Sequence, residues 1–221
     1  MELLPKYIEM LNFIEMEIDK ARVTTHESGV KAAATLFTVT IDHAQGIRFL
    51  LEKGAYPSAS ALIRVLFESY IRAMWLWRCT DNYQVETFIN EDKVVSKKGK
   101  NIYFKDLVKE VEKAHNFPEY LSKIQEDVWN GLNSLTHGGA IQLHRNFDGK
   151  TIKHCYDDEL IDEIIEFTTM ITCMAFAGLM DLCEQQNASE VSGRLFEMIG
   201  PWALSKPDYP DGVNAPIIES L

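Results

Sequence analysis

Apolar positions along this chain recur at three- and four-residue spacings almost throughout, which is the period of helices that bury one face. Ile8, Leu11, Ile14 and Ile18 mark a first helix over residues 5–21, with Pro5 tolerated in its opening turn. A second is predicted from the capping candidates Thr25 and Ser28 to Lys53, where Gly54 offers a left-handed stop. The third, residues 58–78, carries apolar side chains on nearly every face, and a helix of that kind sits in the middle of a bundle. Asp81 caps a short fourth helix through Ile89.

Residues 90–101 then read as a polar linker and the most mobile loop, before helices over 103–115 and 118–136. Gly138 and Gly139 break the pattern. Asp148-Gly149 lies between the alternating segments LHRNF and TIKHCY, so residues 143–156 form either a small β-hairpin or an irregular crossover. Asp157 or Asp158 caps a long helix reaching about residue 184, and a last one over 188–199 is stopped by Gly200-Pro201. Pro207, Pro210 and Pro216 make the segment 206–221 a loose, Pro-rich tail. The expectation is an all-α bundle of about seven or eight helices, one domain over 1–205, and no internal repeat.

Length and composition fit that picture: 221 residues suffice for one substantial core, and 46% hydrophobic with 25% charged residues is ordinary for a folded protein. The most apolar stretch, FTTMITCMAFAGLM, runs uncharged for 14 residues, short of the roughly 20 that span a bilayer, so it reads as a core helix and no membrane is expected. The N-terminus lacks a basic leader and a small-residue cleavage site, which points to the cytoplasm. Cys79, Cys155, Cys173 and Cys183 have no CxxC or compact disulfide spacing and read as reduced, buried thiols. A net charge of −11 opposes non-specific nucleic-acid binding, and DNA is not an expected partner. The cationic run at residues 93–100 is adequately explained as a solvated loop.

Two features stand out. Arg64, Glu68 and Arg72 recur every four residues along the most apolar helix, so they share one stripe of it. Buried ions cost several kcal/mol unless paired, which makes the stripe either a self-satisfied network, the commoner case, or the wall of a polar pocket. The second is NSLTHGGAIQLHR, which places Thr136, His137, Gly138, Gly139, His144 and Arg145 where a helix fails. His137 has the side chain that titrates nearest neutrality and would serve as a base, though a hydrogen-bonded histidine at a helix end is the commoner finding. His43 shares an inward face with Leu36, Ile47 and Leu50 and is placed to meet Arg64 or Glu68, whereas His26, His115 and His154 read as surface residues. Trp75, Trp77 and Tyr83 read as core. Neither a metal-ligand pair on one helix nor a nucleotide, serine-hydrolase or zinc-protease motif is present, so no cofactor or metal is expected.

Leu62-Ile63-Arg64-Val65-Leu66-Phe67-Glu68 followed by Leu135-Thr136-His137-Gly138-Gly139 resembles uncharacterised bacterial helical families of unknown function, over roughly residues 30–184. More distantly, Glu68-Ser69-Tyr70-Ile71-Arg72 is similar to the intrahelical acid-x3-base element of HEPN-type proteins, many of them ribonuclease toxins or defence effectors. Their Arg-then-His element is not matched, because Arg145 and His154 are too far apart and a glycine turn intervenes. The first functional expectation is a binding or interaction protein, in the form of a homodimer, with a polar pocket lined by Arg64, Glu68, Arg72 and His137. The alternative implied by the HEPN resemblance is a metal-independent endoribonuclease with Glu68, Arg72 and His137 as catalytic residues. A third is a site for a small anionic ligand. In each, Arg64, His43, Thr136, Gly138, Gly139, His144 and Arg145 are the ligand-binding candidates, and RNA or a small anion the candidate ligand.

Overall fold

A proline in the first turn and apolar residues one turn apart give α1 (Leu4–Ile18), which buries Tyr7, Met10, Leu11 and Ile14. The structure is a computed structural model and describes residues 2–183 and 187–203. Among these residues it is all-α, with nine helices: α1, α2 (Ser28–Glu52), α3 (Tyr56–Arg78), α4 (Asn82–Glu91), α5 (Phe104–His115), α6 (Tyr120–Thr136), α7 (Ala140–His144), α8 (Asp158–Leu182) and α9 (Ala188–Ala203). The expected tail at 206–221 lies outside the described residues.

α2 and α3 form an antiparallel pair turned at Gly54, whose φ of 68° is the left-handed value that the stop required. α3 is the central element, packing on α2, α5, α6 and α8 and burying Ile63, Leu66, Phe67, Tyr70, Ile71, Met74 and Trp75. α8 lies against α2, and at Gly178 the ring of Phe37 fills the place of a side chain: a Cβ there would stand 2.6 Å from Phe37 Cζ. α8 is long and apolar enough to cross a membrane by composition, yet 78% of its most apolar window is buried inside the bundle. One cluster of buried side chains runs through both the α2–α3 pair and α8.

Several boundaries differ from the sequence expectation, each for an identifiable reason. α2 begins without a side-chain cap, since Thr25 accepts from the backbone of Glu27 instead. α6 starts at Tyr120 rather than Pro118 because the buried carboxylate of Glu112, on α5, accepts from Ser122 N at 2.8 Å and from its hydroxyl. α9 continues past Gly200 and takes Pro201 into its last turn, so the Gly-Pro pair does not stop it. The short α7 was not foreseen. Residues 143–156 make neither a regular hairpin nor an open crossover: one bridge, Phe147 to Ile152, closes over a turn in which Asp148 Oδ1 accepts from Lys150 N and Thr151 N. Among the thiols, Cys173 and Cys183 are buried, while Cys79 and Cys155 are half-buried.

Candidate functional site

The four-residue spacing of Arg64, Glu68 and Arg72 brings all three side chains together along α3. Arg64 Nε donates to Glu68 Oε1 at 2.9 Å with Nη2 paired to the same oxygen at 2.9 Å, and Arg72 Nη2 is ion-paired with Oε2 at 3.1 Å. The shared carboxylate is the most enclosed member, with 13% of its side chain exposed against 22% for Arg64 and 35% for Arg72. Two guanidinium groups over one carboxylate leave a surplus of positive charge. Arg72 uses one of its five N–H groups on Glu68 and turns toward solvent.

His137 joins this network from α6. It is the exposed C-cap residue of that helix, and its Nε2 lies 2.5 Å from Arg64 Nη1. Arginine carries no acceptor, so the contact is a hydrogen bond with His137 Nε2 as the acceptor, which leaves Nδ1 as the ring's donor atom. The glycines fix this placement. Gly138 adopts φ 68°, and Gly139 N donates to Ser134 O at 2.7 Å, the 6→1 bond of a glycine helix stop. At Gly139 a Cβ would come within 2.5 Å of Ser134 Oγ, which instead accepts from Ile141 N and starts α7. One residue earlier, Thr136 Oγ1 donates to Leu132 O at 2.8 Å, with Ala61 O on α3 at 3.3 Å, so α6 ends one turn short of Arg64.

The floor of the site is aromatic. The Arg64 guanidinium sits 4.9 Å from the centre of the Trp129 ring, a cation–π contact, and Trp129 stacks on Phe104 at 4.4 Å. Neither aromatic residue was singled out from the sequence. The usable signal was spacing, since Trp129 lies seven residues before Thr136 and hence on the same face of α6.

The remaining candidates separate. His43 is half-buried, with its pKa lowered by burial, and no hydrogen bond or ion pair links it to Arg64 or Glu68 among the described residues. His144 is exposed at the end of α7. Arg145 belongs to a second cluster: its carbonyl accepts from Cys155 N at 2.8 Å, and its charge acts on Tyr156, whose phenol burial pushes up in pKa. In that cluster Tyr56, His154 and Tyr156 are mutual ring neighbours, and Asn146 Oδ1 meets His154 Nδ1 at 2.8 Å. His115, expected at the surface, is half-buried between Trp77 and Phe117 and donates to Met74 O at 3.0 Å. Tyr83, expected in the core, is largely exposed at the start of α4.

A separate cleft of about 560 Å³ lies between the start of α1, the first turns of α8 and the end of α9. Glu2, Glu159, Asp162, Glu163 and Glu166 line it, with Lys6 as the one cation among the described residues, so their charge is opposite in sign to that of the arginine site. Among the described residues, no three His, Cys, Asp or Glu side chains gather as a metal site would need.

An all-α bundle whose central helix displays an Arg-Glu-Arg ladder, met by a histidine at a Gly-Gly helix end, defines the class to which this protein belongs. The chain is a member of a family of unknown function, DUF6988, whose model matches residues 37–197 and so takes in both halves of the site. No curated protein and no solved structure matches the chain.

Proposed function

We propose that this protein is a binding module that receives an anionic group, a carboxylate or phosphate, at Arg72, Arg64 and His137. The observation that supports it is the uncompensated charge: one carboxylate holds two guanidinium groups at the edge of the bundle, in a chain whose net charge is −11. Glu68 holds the arginine forks in place. The free N–H groups of Arg72 and the Nδ1–H of His137 are then the donors available to an incoming anion, through charge-assisted bonds. The Trp129 ring covers one side of the Arg64 guanidinium, which limits its hydration. Four free thiols accord with a reducing, cytoplasmic setting.

A second reading, metal-independent RNA cleavage of HEPN type, draws on one observation: the folded 145–155 segment brings Arg145 and His154 into neighbouring positions despite their spacing. It has to place His137 or His154 as base against the same −11 charge, and it comes second for that reason.

The test is titration with inorganic phosphate and with pyrophosphate, followed by isothermal calorimetry and by histidine side-chain NMR. Wild type should bind pyrophosphate, Arg72→Gln and His137→Ala should each weaken it at least fivefold, and Glu68→Gln should strengthen it because the competing carboxylate charge is gone. Equal binding by wild type and all three variants, or none by any, removes the anion-site assignment. Cleavage of labelled single-stranded RNA without metal, lost in His137→Ala or His154→Ala, would put the nuclease in its place.

A further inference from the structure

The segment between α4 and α5 is more ordered than its composition suggests. Residues 93–105 contain Lys93, Lys97, Lys98, Lys100 and Lys105 and no acidic residue. Instead of a floppy linker they form a pinned turn. Val95 is buried and bridges to Asn101, Ser96 N donates to Lys100 O at 2.7 Å, and Ile102 N donates to Val94 O at 2.9 Å. Gly99 takes a φ of 74°, which closes the turn.

One side chain anchors it to the bundle. Gln84, itself buried, accepts from Asp81 N at 3.2 Å in the cap of α4 and donates to Val95 O at 2.6 Å. The tip therefore has a fixed position, and Lys97, Lys98 and Lys100 stand exposed on it. Lys93 and Lys105 are paired, to Glu91 at 2.7 Å and to Glu126 at 2.9 Å; the three tip lysines have no ion pair among the described residues.

Aromatic rings flank those cations. Tyr103, at the other end of the turn, is 81% exposed, the most open aromatic side chain described. Tyr83 is also largely exposed, and a Cβ at Gly99 would lie 3.1 Å from its hydroxyl, so this ring borders the turn directly. Nothing in the core accounts for two tyrosines left in water beside a hydrogen-bonded lysine tip. Unpaired lysines flanked by exposed rings are what a single-stranded nucleic acid uses: phosphates meet the cations and unstacked bases meet the rings. An acidic peptide would be served by the lysines alone.

We infer that the 93–105 turn is a docking surface for single-stranded nucleic acid, with Lys97, Lys98 and Lys100 on phosphates and Tyr103 as a stacking platform. The net charge of −11 does not forbid it, because at 0.1 M salt a charge is felt over about 10 Å and the tip is locally cationic. The tip lysines take no part in the contacts that build the anion site at Arg72 and His137. It is also narrow, so binding is weak at physiological salt and steeply salt-dependent. With three phosphates neutralised and a slope near −0.7 per contact, affinity should fall about 20-fold between 50 and 200 mM salt.

The test is fluorescence anisotropy of the full chain with a labelled dT12 and a U12 oligonucleotide, beside the duplex form and poly-glutamate. The single strands should bind with that salt dependence. Lys97→Ala/Lys98→Ala/Lys100→Ala should abolish the binding, and Tyr103→Ala should weaken it about tenfold, which is the range of one base stacked on one ring. Lys150→Ala, an exposed lysine on the separate turn at 148–151, should leave it unchanged, which separates this surface from charge in general. Thermal melts check that the surface variants, all at exposed positions, fold as wild type. No binding at 50 mM salt, binding that survives the triple variant, or poly-glutamate binding as tightly as the oligonucleotides with Tyr103→Ala without effect would each overturn the assignment, the last in favour of an acidic protein partner.

Discussion

Replacing Glu68 by glutamine keeps the shape of the side chain and removes the one charge that two arginines share. Wild type makes three charge-assisted contacts to that carboxylate, at 2.9, 2.9 and 3.1 Å. Were all three groups fully buried, breaking the network would cost about 3–5 kcal/mol. Arg64 and Arg72 keep 22% and 35% of their side chains in water, which lets solvent take up part of the loss, and Gln retains one acceptor oxygen. The expected loss is thus about 2–3 kcal/mol. For a chain of this size that lowers the melting temperature by about 4–12 °C. Urea denaturation should show a lower midpoint with an unchanged m-value, while pyrophosphate affinity rises. A destabilisation below about 0.5 kcal/mol, within the range of ordinary surface substitutions, would refute the view that Glu68 holds the arginines in place.

Other consequences can be checked the same way. Gln84→Ala removes the donor to Val95 O and leaves a buried carbonyl unpaired, at about 1–3 kcal/mol, and hydrogen exchange should rise across residues 94–102. Gly178→Ala gains about 1 kcal/mol of helix propensity but drives a Cβ into the Phe37 ring, so overpacking dominates and the protein should melt lower. His115 has its pKa lowered from 6.5, chiefly by burial and further by Arg78, with the Met74 carbonyl opposing. The unfolded chain then binds the proton more readily, so the stabilisation is whole above pH 6.5 and is lost as pH falls through the lowered folded value. The urea midpoint of wild type should fall between pH 7.5 and 5.5, and that of His115→Gln should fall less.

The helical periodicity was strong enough to place every long helix, because each buries one face against α3, α2 or α8 and the three-to-four spacing records it directly. Boundaries were legible where a local signal sets them: Asp81 closes a capping box with Gln84, and Asp157 accepts from Leu160 N. They were missed where a distant residue does the work, as Glu112 does for α6, since no local pattern reports a carboxylate ten residues away. The same distinction runs through the site. Arg64, Glu68 and Arg72 meet through one helix and could be read from spacing, and the Gly138-Gly139 pair marked where α6 must stop. That His137 lands on Arg64 depends on how α6 crosses α3, and Trp129 and Phe104 enter by the same packing, which the linear sequence does not encode in any short window.

The turn at 93–105 shows what composition alone leaves out. A lysine-rich stretch with a glycine reads as solvated loop, because its charges gain nothing from ordering. Here the ordering is supplied by two residues that composition hides, Val95 in the core and Gln84 beneath it, and the lysines are carried along passively. Fixing three unpaired cations next to one another is electrostatically unfavourable in the free protein, so the anchor works against the charges it presents. An arrangement of that kind lowers the entropic cost of binding a polyanion, since the cations need not be gathered when it arrives. The arginine ladder strikes a different balance: Glu68 spends one negative charge to hold two guanidinium forks in a set geometry, but that charge competes with an incoming anion and outweighs the preorganisation it supplies, which is why Glu68→Gln should bind more tightly while folding less stably.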